Sequence, residues 1–161
     1  MFERFGEFNS AAEINETAVN LRKEGDRESL EVLAKENGID PDVLEVFLDG
    51  DLLYLCDEMT AAIGKLDVES AEIKCAEIMQ DWVEYIKAQC FEKPEVARTV
   101  RKKGKSLAGA VAKLLEWSFK HQTPVSKEIM KAAGVTAGKC TLGIPGMATA
   151  KKIITEYYLG K

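Results

Sequence analysis

Apolar residues recur along this chain at intervals of three and four, the period of helices with one buried face. Ser10-Ala11-Ala12-Glu13 opens the first of them as a capping box, in which the serine oxygen and the glutamate each satisfy a free backbone N–H. Ile14, Ala18 and Leu21 follow at helical spacing, and Gly25 can end the helix. Asp26 is the cap expected for a second helix, with Leu30, Leu33 and Ala34 on one face and Asn37-Gly38 as the stop. Asp40-Pro41 places a cap and a first-turn proline at the head of a third, which carries Val43, Leu44, Phe47 and Leu48. A fourth is predicted from about Asp51 to Leu66, with Leu52, Cys56, Met59 and Ile63 as its stripe and Leu55, Ala62 and Leu66 widening it.

The fifth helix spans roughly Ser70 to Phe91 through Cys75, Ile78, Met79, Trp82, Tyr85, Ile86 and Cys90. The stretch Asp67 to Glu72 reads either as helix or as linker. Pro94 opens a short sixth helix with Val96 and Val100. Ser106 caps a seventh, holding Leu107, Ala110, Val111, Leu114, Leu115, Ser118 and Phe119, with Trp117 and His121 on another side. Ser126 caps an eighth after Pro124, expected to bury Ile129, Met130 and Ala133 before Gly134. The glycine-rich segment after it reads as a loop or a short β-hairpin near residues 135–144. A last helix runs from about Met147 to Tyr158, with Ala150, Ile154, Tyr157 and Tyr158 buried and Lys151 and Lys152 exposed. The expected fold is mainly α, with eight or nine helices.

Composition agrees with a packed protein. Of 161 residues, 46% are hydrophobic and 30% charged, too apolar for a disordered chain. No apolar run approaches the ~18 residues of a membrane span, and the first residues lack the layout of an export signal. Both point to the cytoplasm. Cys56, Cys75, Cys90 and Cys140 are far apart, with no paired spacing of a zinc site. Ordinary buried thiols are the expectation, beside a metal site assembled from distant cysteines and His121, the one histidine.

Charge changes the picture more. Residues 1–90 hold 22 acidic and 8 basic side chains, a net of −14, whereas residues 91–161 hold 5 and 14, a net of +9. The division suggests an acidic helical region over residues 1–66 and a helical region with a basic surface over 67–161. Three explanations remain open beside plain solvation: the halves attract each other, the acidic face meets a basic partner, or the basic face meets nucleic acid. Helices two and three have the spacing of a helix-turn-helix. Asp40, Asp42, Glu45, Asp49 and Asp51 lie on or beyond its second helix, however, and phosphates would repel them. A packed pair with an acidic outer face is expected instead. The strongest basic cluster, Arg98, Arg101, Lys102, Lys103 and Lys105, can grip phosphates or simply cover a helix end.

Catalytic signatures are missing. The chain has no phosphate loop, dinucleotide fingerprint, nucleophile elbow or zinc-protease helix. Gly143-Ile144-Pro145-Gly146 precedes a helix, but its proline removes one N–H that an anion cradle needs. A binding protein, not an enzyme, and no cofactor are the expectations.

Four phrases carry a family resemblance: Phe5-Gly6-Glu7-Phe8-Asn9-Ser10-Ala11-Ala12-Glu13-Ile14-Asn15, Leu33-Ala34-Lys35-Glu36-Asn37-Gly38-Ile39-Asp40, Val100-Arg101-Lys102-Lys103-Gly104-Lys105-Ser106-Leu107, and Ala150 through Gly160. Together they resemble the ninth-named type II-A anti-CRISPR family, proteins of phages and mobile genetic elements that inhibit the type II CRISPR effector nuclease. The second half is similar to the PcfK-like proteins of conjugative elements, chiefly through Lys105-Ser106-Leu107 and the terminal tyrosines. The resemblance implies direct binding to the nuclease, alone or with its guide RNA, in the cytoplasm of a bacterial host. The effector holds nucleic acid in positively charged channels. Asp40, Asp42, Glu45, Asp49, Asp51, Asp57 and Glu58 are therefore the candidates for partner binding. The alternative is a nucleic-acid-binding accessory protein acting through Arg98, Arg101, Lys102, Lys103 and Lys105.

Overall fold

The computed structural model describes residues 1–160; residue 161, the end of the expected basic region, lies outside them. Nine helices and one two-stranded antiparallel sheet make up the described residues. The helices are α1 (Ala11–Glu24), α2 (Arg27–Glu36), α3 (Pro41–Leu48), α4 (Glu58–Glu72), α5 (Ile78–Glu92), α6 (Pro94–Arg101), α7 (Leu107–Lys120), α8 (Lys127–Ala132) and α9 (Met147–Leu159). The mainly helical architecture is as the periodicity indicates.

Local signals set most helix ends. The Ser10 hydroxyl accepts from the Glu13 N–H at 3.3 Å, and the Glu13 carboxylate accepts from the Asn9 N–H at 2.7 Å. Gly25 ends α1 with φ at 71°, a left-handed conformation that costs glycine nothing. Asp26, Asp40, Ser106 and Ser126 cap α2, α3, α7 and α8 as expected.

The fourth helix departs from its expected span. Residues 51–57 are irregular, and α4 begins only after Asp57, whose carboxylate accepts from the Thr60 N–H at 2.6 Å. The stripe is rotated as well. Ala61, Ala62, Lys65, Leu66 and Glu69 are the buried side, while Met59 and Ile63 are only half-buried. Asp67 to Glu72 continue α4 rather than link two helices. The expected fifth helix is accordingly broken at residues 73–77, where Lys74 and Glu77 have φ of 54° and 53° and turn the chain so that α5 packs back on α4.

Two clusters of buried apolar side chains fill the fold. One holds Ile14, Ala18, Leu30, Leu33, Leu44 and Phe47, and ends at Ala61 of α4. The other starts at Ala62 and includes Leu66, Val83, Ile86, Val100, Leu107, Leu114 and Ile154. The limit expected between residues 66 and 67 thus falls inside α4, which serves both clusters. Helices α2 and α3 pack as a pair through Leu30, Leu33, Leu44 and Phe47.

The segment from His121 to Met147 is largely exposed. Strands β1 (Thr123–Pro124) and β2 (Thr141–Leu142) pair there in antiparallel register, Thr123 opposite Leu142. The second strand lies in the expected hairpin range, but its partner precedes α8. Ile129 and Ala133 are exposed and Met130 is only half-buried, against the expected burial of all three. On α7 the buried side is Leu107, Ala110 and Leu114, whereas Leu115 and Phe119 are exposed, Phe119 at 76%. Tyr157 of α9 is half-buried, not buried. Helical spacing of apolar residues does not by itself bury them: among the described residues α8 has no buried side chain, and Leu115 and Phe119 of α7 stay exposed. No helix among the described residues is long and apolar enough to cross a membrane.

Candidate partner-binding surface and charged junction

The irregular stretch between α3 and α4 is pinned at both ends. Arg22 lies over the Phe47 ring at 4.1 Å and donates to the carbonyls of Phe47 and Leu52 at 2.7 and 2.9 Å. Asn15 accepts from the N–H groups of Leu55 and Cys56 at 2.9 and 3.0 Å and donates to the Cys56 carbonyl at 2.8 Å. Leu55 and Cys56 are buried in the first apolar cluster. Burial pushes the Cys56 thiol up to about 12, with Arg101 opposing and Asp57 reinforcing the shift.

Between the two anchors the chain bulges outward. Leu53 is 75% and Tyr54 66% exposed. Asp49, Asp51, Asp57 and Glu58 flank them, all exposed. A groove of about 700 Å³ runs beside the bulge, between it and α1, and Tyr54, Asp57, Glu58, Glu16 and Val19 line part of it. This surface combines two large apolar side chains with a carboxylate rim on a fixed backbone. Such a surface suits a protein partner, because aromatic anchors dominate interface energies and charged rims steer encounter. Leu53 and Tyr54 were hidden from sequence reasoning, since the helical reading of residues 51–66 gave them no outward bulge. The cap at Asp57, one residue before Glu58, is the signal that pointed to a later start.

The seven acidic candidates are all exposed, but they are not equivalent. Asp40 accepts from the Asp42 N–H at 2.8 Å at the start of α3. Glu45 pairs with Arg27. Glu58 pairs with Arg98 at 3.0 Å. Asp42, Asp49 and Asp51 have no side-chain partner among the described residues.

The five basic candidates do not share one exposed face. Arg101 is buried, 1% exposed, and donates from Nη2 to Asn37 Oδ1 at 2.9 Å. Arg98 is engaged by Glu58, and Lys105 donates to the Tyr157 carbonyl. Lys102 and Lys103 remain exposed. The turn that carries them is gripped from α4. Lys65, fully buried, donates to the carbonyls of Lys102 and Lys105 at 3.1 and 2.8 Å and to the Glu7 carboxylate. All three ammonium protons therefore have acceptors. One turn along, Glu69 accepts from the Leu107 N–H at 2.7 Å. Burial holds the Glu69 carboxyl above the usual carboxylate range, opposed by that N–H and by Lys65. Burial likewise lowers the Arg101 guanidinium, opposed by Glu7.

Among the described residues a single ion pair, Arg98 with Glu58, joins residues 1–90 to residues 91–161. The charge split is not closed by internal pairing, and the acidic face stays open to solvent. His121 stacks on Trp117 with ring centroids 4.3 Å apart. Among the described residues no three His, Cys, Asp or Glu side chains converge as a metal site, and all four cysteines are free thiols. No protein family, curated protein or solved structure matches the chain.

Proposed function

We propose that this chain is a stoichiometric inhibitor of a type II CRISPR effector nuclease, acting by binding and without catalysis in the bacterial cytoplasm. The anchored bulge supports this reading most directly: it presents Leu53 and Tyr54 within a rim of Asp49, Asp51 and Asp57. The family resemblance supplies the partner, and the partner's chemistry suits the surface. An effector channel that holds nucleic acid is basic, so carboxylates would take the place of phosphates there while Leu53 and Tyr54 add apolar contact. Asn15 and Arg22 hold the backbone of the bulge, so little ordering entropy opposes binding.

Pull-down against a type II effector, with and without guide RNA, followed by a DNA cleavage assay, tests the proposal. The wild-type chain should co-purify with the effector and suppress cleavage near equimolar ratio. Asp49→Lys with Asp51→Lys should raise the concentration needed at least tenfold, and Tyr54→Ala should do so independently. Inhibition should also weaken as salt rises, because exposed charges are screened. Unchanged inhibition by both variants would exclude this surface. An absence of binding to the effector would exclude the function.

A further inference from the structure

Trp117 and His121 stand one turn apart at the end of α7. Their rings lie parallel, with centroids 4.3 Å apart and planes 8° from each other. The His121 Nδ1 lies 2.8 Å from the Trp117 carbonyl. A carbonyl only accepts, so Nδ1 carries the proton and this bond holds the imidazole over the indole. Trp117 is half-buried, and His121, the outer ring of the stack, is exposed. Lys113, Trp117, Lys120 and His121 recur at the spacing of one helix face. With Ile153 and Tyr157 of α9 they line a groove of about 450 Å³, within the ~300–1,000 Å³ range of ligand clefts.

The groove opens on a basic surface. Residues 102–160 hold ten lysines and three glutamates, and each of these lysines except Lys105 is exposed. Among the described residues one ion pair alone, Lys113 with Glu116 at 3.2 Å, engages any of them. Glu116 and Glu156 are the carboxylates on the groove wall. Lys113 offsets the first, and Lys152 stands one turn before the second on α9. Unpaired cations suit a polyanion, and an exposed aromatic stack suits a flat ring. Single-stranded nucleic acid supplies both. A duplex keeps its base faces inside its own stack, and an acidic peptide brings charge without the rings.

We propose that the groove between α7 and α9 binds single-stranded nucleic acid, with a base stacked on His121 and the flanking phosphates met by Lys113 and Lys120. The basic cluster at the end of α6 takes no part, since Arg98 and Arg101 are spent on Glu58 and Asn37. The site lies on the basic half of the chain and is independent of the acidic bulge.

A labelled oligothymidylate and the matching oligouridylate, titrated with the full chain at low salt and followed by anisotropy, are the test. Trp82 is buried, so quenching of tryptophan emission on binding reports Trp117. Saturable binding with quenching is expected, and its log–log salt slope should be about −1.4, the value for two single-strand phosphates. His121→Ala should weaken binding at least fivefold through the lost stacking. Lys120→Gln should weaken it about threefold and flatten the slope by about 0.7. Glu156→Gln removes an opposing carboxylate and should tighten binding about threefold, a gain that damage to the fold does not produce. Lys103→Gln should bind as the wild type does. The probe bound more tightly identifies the strand as DNA or RNA. No saturation by either probe overturns the proposal. So does equal affinity for a duplex or for polyglutamate, or binding that neither His121→Ala nor Glu156→Gln changes.

Discussion

At the scale of single residues, burial rather than spacing sorts the four cysteines. Cys56 and Cys90 are buried, and burial pushes both thiols up to about 12. Cys75 and Cys140 are half-buried. The thiolate is the reacting species, so at pH 8 a disulfide reagent such as dithionitrobenzoate should label two thiols rapidly and all four only after denaturation. Fast labelling of Cys56 would mean that Asn15 does not hold the bulge closed. The same scale contains the clearest failure of pattern reading. Arg101 reads as a member of a surface basic cluster and is buried, and Lys65, which no motif singles out, is buried as well. A lysine between Gly64 and Leu66 carries no local mark of burial, because its acceptors belong to Glu7, Lys102 and Lys105.

Among the elements, α4 shows what capping signals and periodicity can each decide. The run Leu52, Cys56, Met59, Ile63 has helical spacing, but Asn15 and Arg22 hold the backbone of residues 52–56 in another shape. Asp57 then supplies the true cap. Packing of α4 depends on a close approach of two glycines. A Cβ on Gly64 would stand 2.1 Å from the Asn37 carbonyl oxygen, and one on Gly38, whose φ is 63°, would stand 2.3 Å from the Gly64 oxygen. The turn after α2 therefore rests directly on the α4 backbone. Alanine at an ordinary helical position gains about 1 kcal/mol over glycine. Gly64→Ala should instead lose about 3 kcal/mol through overpacking, read as a lower urea midpoint. A neutral or stabilising result would remove this contact from the account of the fold.

For the whole molecule, the two apolar clusters meet on α4, and the polar contacts of Lys65, Glu69 and Arg101 cross from α4 and α2 to the turn after α6. Cooperative unfolding is the consequence. Both tryptophans, Trp82 and Trp117, lie beyond α4, whereas helical circular dichroism reports all nine helices. The two signals should fall together in urea, the test of a two-state transition. An early loss of dichroism alone would show that residues 11–61 unfold separately. Lys65→Met leaves the Glu7 carboxylate and two carbonyls without their donor. It should cost roughly 3–5 kcal/mol, as breaking a buried ion pair does.

The sequence by itself determined the helical class and most helix boundaries, because a cap, a proline or a left-handed glycine acts within a few residues of its own position. Ser10, Asp26, Asp40 and Ser106 are such local signals. The acidic candidates were legible as well, since charge needs no fold to be counted. Tertiary structure alone decided which apolar residues stay outside, as Leu53, Tyr54 and Phe119 do, and which charges go inside. The reason is that burial is settled by partners far along the chain. Arg101 meets Asn37 across 64 residues, and no periodicity within α6 carries that information.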